Sequence, residues 1–161
     1  DAVNKQYNKD YCYVTPCNLY GVYDKFDERS HFVAALVKKI YEANKAGKNK
    51  ITLFGSGKPL RQFMNARDLA VILNRMVDED VTDSFNVAGP DNLSIDTIAK
   101  IALRACGCEH MSIEYDTSKP DGQYRKDVST KKLKSIFPDI KFTNLSKGIK
   151  EVFQVLENIQ T

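Results

Sequence analysis

The 161-residue chain contains 42% hydrophobic and 28% charged residues, a composition typical of one soluble globular domain with a substantial core. Its net charge of +3 is spread along the sequence, which argues against nucleic-acid binding but suits a small anionic ligand. No apolar run approaches the roughly 20 residues of a transmembrane helix, and the first residues do not form a signal peptide, so we expect no membrane association.

The first 21 residues predict the end of an α/β unit. Residues 1–8 have the pattern of the last turns of a helix and lack an N-terminal cap signal, so we expect the chain to begin inside a helix. The aromatic and β-branched run 11–16 predicts a strand, and residues 16–21 predict a turn. Ligands of α/β sheets collect at the carboxyl ends of strands, which makes this turn a candidate site.

The rest of the chain predicts helices alternating with short strands. Helices are expected over 30–45, from residue 65 or 66 to 76, over 94–105, over 129–137 and from residue 144 or 146 onward. We expect Ser30 and Ser94 to be N-caps and Gly107 to end a helix. Strands are expected over 51–54, 84–88 and 111–115, turns at 55–59 and 89–92, and a polar loop over 116–127. The pattern predicts an α/β fold of about six helices and five short strands.

The four cysteines are Cys12, Cys17, Cys106 and Cys108. They do not indicate a disulfide framework, because a chain of this size folds without covalent cross-links. Cys106 and Cys108 have no second Cys or His pair at metal-ligand spacing, so we expect no metal site. We interpret all four thiols as reduced, which favours a cytoplasmic protein.

Two residues near the first strand are candidates for chemistry. Asn18 lies in a turn, where it either serves turn geometry alone or presents polar groups to a ligand. His31 lies at a predicted helix start. A lone His in that position is either structural or solvated, or it acts as a general acid near neutral pH.

The segment 55–61 superficially resembles a phosphate-binding loop. It lacks the Gly-Lys-Ser/Thr ending, and Pro59 interrupts the run of N–H donors, so we exclude a Walker motif. Arg61 either holds a diphosphate bidentately or forms a surface ion pair.

Further charged residues leave both a functional and a structural interpretation open. Lys38 and Lys39 follow His31 along the same helix, where they either bind phosphate or face water. Asp121 lies in a rigid turn with basic residues on both sides. It either accepts hydrogen bonds from ribose or sugar hydroxyls or is simply solvated.

Four motifs occur in one order along nearly the whole chain. They are Pro16-x-Asn-Leu-Tyr-Gly, a Ser30-His31 helix start, Phe54-Gly-Ser-Gly-x-Pro-x-Arg61-x-Phe, and Ser118-Lys-Pro-Asp-Gly. This order and spacing resembles the C-terminal half of the GDP-L-fucose synthases, a branch of the extended short-chain dehydrogenases. The Gly-Ser-Gly motif is shared across that superfamily, whereas the Ser-His and Ser-Lys-Pro-Asp-Gly motifs are more specific to the branch.

The resemblance implies roles for individual residues. The nicotinamide side of NADP(H) would be lined by Pro16, Cys17, Asn18, Leu19 and His31, and His31 would donate a proton. The substrate would be bound by Asn18, Lys39, Phe54, Arg61 and Asp121. Cys17 replaces the usual Thr of the family, and Phe54 stands where Trp is common.

The resemblance also implies an organisation and an activity. Residues 1–21 would be the end of an NADP-binding Rossmann domain, and 22–161 mainly a nucleotide-sugar-binding domain, with helix 66–78 packing back on the Rossmann domain. The intact protein, a homodimer, would convert GDP-4-keto-6-deoxy-mannose to GDP-L-fucose by 3,5-epimerisation and NADPH-dependent 4-reduction. This half alone would be inactive without its N-terminal half.

Two other functions remain open at this point. One is another extended short-chain dehydrogenase acting on a nucleotide sugar, such as an epimerase or dehydratase, which a preference for uridine or thymidine over guanine would distinguish. The other is a non-catalytic sugar-nucleotide-binding module.

Overall fold

The computed structural model describes residues 2–160, so Asp1, which belongs to the predicted first helix, and Thr161 lie outside the described residues. The predicted α/β class is confirmed. In chain order the elements are α1 (Ala2–Tyr7), β1 (Val14–Pro16), β2 (Asn18–Tyr20), α2 (Phe32–Lys45), β3 (Lys50–Phe54), β4 (Leu60–Asn65), α3 (Ala66–Asp78), β5 (Phe85–Val87), β6 (Asn92–Ser94), α4 (Ile95–Ala105), β7 (Ser112–Asp116), β8 (Arg125–Lys126), α5 (Lys131–Ile136) and α6 (Leu145–Gln160).

Strand β4 lies at the centre of the largest sheet. It pairs in parallel with β2 and β8 and antiparallel with β6. Strands β1 and β5 form a separate parallel pair, and β3 and β7 form another. The register opposes Asn18 to Phe63 and Arg61 to Lys126, which brings distant loops to β4.

The sequence patterns missed β2, β4, β6 and β8. None of these four strands contains Val, Ile or Thr, the β-branched residues that mark a strand in sequence. Each is defined instead by hydrogen bonds to a partner strand that is remote in sequence. The predicted turn over 16–21 therefore contains a strand, and so does the predicted loop over 116–127.

The larger of two apolar cores lies among α2, α4, α6 and the β3–β7 pair. Helix α2 contributes Val33, Leu36, Val37 and Ile40, each no more than 2% exposed, at the spacing of one helical face. This packing fixes the N-terminal end of α2, where His31 lies, relative to β3.

The smaller core joins β1 to α3, β5 and α5. Its buried residues are Met64, Ile72, Met76, Phe85, Val87, Leu133 and Phe137, and Val14 of β1 packs against them. Segments on both sides of position 21 thus share one core. The division of the chain between residues 21 and 22 stays a prediction.

The N-caps of two helices agree with the sequence pattern, and the N-cap of a third does not. The Oδ1 of Asn65 accepts a hydrogen bond from the Arg67 N–H at 3.0 Å, and Ser94 Oγ accepts one from the Thr97 N–H at 3.0 Å. The prediction for Ser30 is wrong. His31 occupies the N-cap position of α2, because the Ser30 hydroxyl turns back and donates to the carbonyl of Asp27.

Within residues 2–160, no helix has both the length and the apolar character needed to cross a bilayer.

Candidate functional site

A cleft of about 1210 Å³ brings together the predicted site residues. It lies where β2, the start of α2, β3 and β4 meet. Its lining includes Cys17, Asn18, Leu19, His31, Lys39, Phe54, Arg61 and Asp121. Pro16 does not line the cleft; it is exposed and pairs with Val87 in the β1–β5 ladder.

One wall of the cleft follows the carboxyl end of β1. The Cys17 N–H donates to the Val87 carbonyl at 2.8 Å, and Asn18 Nδ2 donates to the Gln62 carbonyl at 2.9 Å. These bonds hold the segment 17–19 in place between β5 and β4. Burial raises the pKa of the Cys17 thiol, which keeps it protonated at neutral pH. Cys17 is therefore poorly suited to act as a base.

His31 lies on the rim of the cleft at the N-terminal end of α2. Its side chain is 77% exposed, and its Nδ1 lies 3.2 Å from Oδ1 of Asp24. It forms no side-chain capping bond to the helix. The imidazole is thus open to the cleft and is held through a carboxylate.

The opposite end of the cleft is basic. Lys39 Nζ donates to the Thr52 carbonyl at 2.6 Å and lies 5.4 Å from the centroid of the Phe54 ring. Phe54 is 67% exposed, so its ring offers a free face for stacking as well as contact with the ammonium group. The pair offers an aromatic surface next to a positive charge.

Arg61 lies on β4, in the middle of the sheet. Its Nη1 donates to the Leu60 carbonyl at 2.7 Å. No carboxylate of the described residues forms an ion pair with it, so the alternative interpretation as a surface ion pair does not hold. Since a guanidinium has five N–H donors, most of them remain available to an anion.

Asp121 is occupied by a protein contact. Its two oxygens accept hydrogen bonds from the N–H and the hydroxyl of Ser56, and these bonds hold the pKa of the Asp121 carboxyl below its usual range. The Gly55 N–H donates to the Asp116 carbonyl at 3.0 Å. The N–H groups of Gly55 and Ser56 are therefore used within the protein, which agrees with the exclusion of a Walker motif.

Several residues that line the cleft were not predicted as site residues. Phe32 and Phe63 stack with their ring centroids 5.7 Å apart, and both rings line the cleft. Asp24 and Arg67 also line it. Phe63 belongs to the quoted Arg-x-Phe motif, whereas nothing in the sequence marks Asp24, which reaches His31 through a turn.

No cluster of three or more His, Cys, Asp or Glu side chains in the described part of the chain could hold a metal ion. All four cysteines are free thiols. The arrangement combines a titratable imidazole, stacked aromatic rings and at least two basic groups along one cleft, which can bind an extended anionic molecule and transfer a proton at one end.

Comparison with known proteins identifies the family. The model of the NAD dependent epimerase/dehydratase family matches residues 1–88, more than half of the chain. The chain belongs to this family.

Relatives of this epimerase/dehydratase chain cover it almost completely. It is 37% identical to the GDP-L-fucose synthase of Dictyostelium discoideum, over 100% of this chain and 52% of the relative. It is 35% identical to the GDP-L-colitose synthase of Yersinia pseudotuberculosis, over 89% of this chain and 47% of the relative. The chain thus spans about half the length of the curated relatives it matches.

A solved structure also shares the fold of this chain. The GDP-L-fucose synthetase of Naegleria fowleri, bound to NADP, superimposes with a TM-score of 0.86 at 31% sequence identity, covering 99% of this chain and 54% of that one.

Proposed function

We propose that this chain is the sugar-nucleotide-binding half of an NADP-dependent GDP-L-fucose synthase. The observation that carries the proposal is that a single cleft gathers every predicted site residue except Pro16. Apart from Lys39, these residues come from four separate motifs in the sequence. Their convergence is unexpected for motifs that serve only local turns, and the proposal is supported by relatives named GDP-L-fucose synthase and GDP-L-colitose synthase.

The substrate would bind through its charged nucleotide end. Arg61 has no carboxylate partner among the described residues and would hold the diphosphate, with Lys39 adding a second positive charge. Phe54 would pack against the nucleotide. Binding energy from this end would keep the sugar ring in a fixed position near His31 while several chemical steps proceed.

His31 would act as the general acid of epimerisation. A 4-keto group acidifies the protons at C3 and C5 of the sugar, so a base removes each proton and an acid returns one on the opposite face. The exposed imidazole of His31 would be that acid. Cys17 would not be that base, because burial keeps its thiol protonated.

Residues of this chain could border only the nicotinamide end of NADP(H). Cys17, Asn18, Leu19 and His31 line a common wall that could border the nicotinamide ring. The Gly55 and Ser56 N–H groups bond within the protein, and the Gly-Ser-Gly loop leads into a strand and not into a helix, so the cofactor's phosphates would be held elsewhere. When bound, NADPH supplies the hydride that reduces the 4-keto group.

We further propose that α3 packs on a dinucleotide-binding half. Ala66, Ala70, Leu73 and Val77 recur at helical spacing and are all exposed, although the other face of α3 is buried in the smaller core. We also propose, from the family resemblance, that the intact protein is a homodimer and, from its free thiols, that it is cytoplasmic.

Thermal unfolding of this chain with GDP, UDP or ADP tests the proposal. A ligand that binds only the native state stabilises it by about 2.7 kcal/mol at a hundredfold excess over its dissociation constant. A rise in the midpoint with GDP alone is the expected result. A preference for UDP would favour another nucleotide-sugar epimerase or dehydratase. No rise with any nucleotide would contradict a nucleotide site carried by this chain.

A further inference from the structure

Asp24 and His31 form a carboxylate–imidazole pair on the rim of the cleft. The two side chains are joined by the 3.2 Å contact between Nδ1 and Oδ1. Their exposures differ sharply, with 77% of the His31 side chain exposed but only 11% of Asp24. The carboxylate is therefore the sheltered, fixed partner, and the imidazole is the partner that reaches the open cleft.

The turn that precedes α2 holds Asp24 in place. The Asp24 N–H donates to the Gly21 carbonyl at 3.1 Å, and Asp24 Oδ1 accepts from the Lys25 N–H at 2.9 Å. These two bonds orient the carboxylate from its own backbone, without help from His31. On the other side, the His31 backbone is extended, with φ −69° and ψ 163°, and its side chain makes no bond to the helix end.

We propose that Asp24 is a positioning residue that holds neutral His31 as the Nδ1–H tautomer. An ionised carboxylate has only acceptor sites, so a neutral imidazole bonded to it must carry its proton on Nδ1. This leaves Nε2 as the nitrogen that accepts and then delivers a proton. The inference rests on the proposed function, because it assigns Nε2 as the atom through which His31 acts as general acid.

The chain contains two histidines, so the tautomer of His31 can be measured directly. Long-range ¹H–¹⁵N correlation spectra of the ¹⁵N-labelled chain at about pH 8.5, where an ordinary imidazole is neutral, distinguish a protonated from an unprotonated ring nitrogen. His110, the other histidine, is exposed and serves as the internal reference. We expect the unprotonated nitrogen of His31 to be Nε2, whereas His110 should show the tautomer mixture of a free imidazole.

Three substitutions separate positioning from folding. Asp24→Ala should shift His31 to the pattern of His110, and Asp24→Asn, which keeps an acceptor oxygen, should retain much of the Nδ1–H form. Asp27→Ala is the matched control, since Asp27 lies in the same loop but bonds to Arg29 and not to His31. A His31 spectrum that already matches His110, or that is unchanged in Asp24→Ala, would overturn the proposal.

The measurement needs no nucleotide, so its outcome is independent of the proposed function. If the chain shows the Nδ1–H tautomer but binds no GDP, the proposed role of Asp24 stands and the proposed substrate is wrong. If the chain binds GDP with His31 in the other tautomer, only the proposed role of Asp24 is wrong.

Discussion

The two carboxylate oxygens of Asp121 both bind Ser56, one through its backbone N–H at 2.5 Å and the other through its hydroxyl at 2.7 Å. The two residues are 65 positions apart, so the contact ties the loop after β3 to the loop after β7. Gly55 is required beside it, because its φ is +81° and a Cβ there would collide with the Asp121 carboxylate. One end of the cleft is thereby shaped before any ligand binds.

The first prediction concerns the pH dependence of this contact. The hydrogen bonds from Ser56 lower the folded-state pKa of Asp121 below the ordinary value of about 3.9. The contact therefore contributes stability above that ordinary value and loses it as the pH falls through the lower, folded-state pKa. In an acid titration followed by NMR, the amide signal of Ser56 should move with a midpoint below about 3.9.

Asp121→Asn is the control for this titration, because an amide cannot titrate in this range. The variant should abolish the transition of the Ser56 signal. A midpoint at or above the ordinary carboxyl value in the unsubstituted chain would contradict the described hydrogen bonds.

The second prediction concerns anion binding by Arg61. Hydrogen bonds to charged groups contribute about 1.5–3 kcal/mol, so Arg61→Ala should weaken GDP binding about 10- to 100-fold. Arg104→Ala is the matched control, since Arg104 lies in the last turn of α4 and is not part of the cleft lining. Isothermal titration should show a loss only for Arg61→Ala. Equal affinity in both variants would exclude Arg61 from the nucleotide site.

The third prediction separates backbone strain from steric collision at two glycines. Gly47 and Gly57 have φ of +63° and +74°, but a Cβ at Gly47 meets nothing within 4 Å, whereas one at Gly57 would lie 2.5 Å from Cε1 of Tyr115. Gly47→Ala should cost about 1–2 kcal/mol for the left-handed backbone alone. Gly57→Ala should cost about 1–3 kcal/mol more, because the ring of Tyr115 must also move. Chemical denaturation measures both, and equal losses would contradict the collision.

Sequence patterns predicted best where the cause of the structure is local. Asn65 and Ser94 cap helices with their own side chains, and Gly107 adopts the left-handed conformation that ends α4, with φ +67°. The same reasoning failed at Ser30, because the hydroxyl found a competing acceptor in the preceding turn. Strand β4 was missed because its identity depends on three partner strands rather than on its own residues.

The site residues show the same difference between local and long-range causes. Residue types such as His31 and Arg61 stood out in their motifs, but each motif alone allowed a structural interpretation. Their assembly depends on the register of β4, which places Arg61 opposite Leu93 and Lys126. Asp24 could not be predicted, since its contact with His31, seven positions further along the chain, arises from a turn that no periodic pattern describes.

The fourth prediction concerns the contact between β2 and α6. A Cβ at Gly148 would collide with the hydroxyl of Tyr20 and would lie 2.9 Å from Cζ of its ring. Alanine normally stabilises a helix relative to glycine by about 0.5–1 kcal/mol. Overpacking costs about 1–3 kcal/mol, so Gly148→Ala should lower the free energy of unfolding despite the better helix propensity.

Removal of the Tyr20 hydroxyl tests the cause of that loss. The hydroxyl is buried without a hydrogen bond of ordinary geometry, although it lies near the Asn65 amide, and burial raises the pKa of Tyr20 to about 12. Tyr20→Phe should therefore cost little by itself and should recover part of the loss in the Gly148→Ala background. Strict additivity of the two changes in a double-mutant cycle would show that the collision is not the cause.

The fifth prediction concerns the exposed stripe of α3, defined above by Ala66, Ala70, Leu73 and Val77. Val77 is 76% exposed on a helix whose opposite face is already buried, and the chain spans about half the length of its curated relatives. An apolar stripe in this position should drive concentration-dependent association when the chain is studied alone. Val77→Lys should suppress that association in sedimentation velocity experiments, with little change in stability, because surface substitutions usually stay within about 0.5 kcal/mol.

Ile159→Lys, at a site that is 65% exposed near the end of α6, provides the comparison and should leave association unchanged. If both substitutions suppress association equally, general surface hydrophobicity drives it, and α3 is not the surface that receives the dinucleotide-binding half.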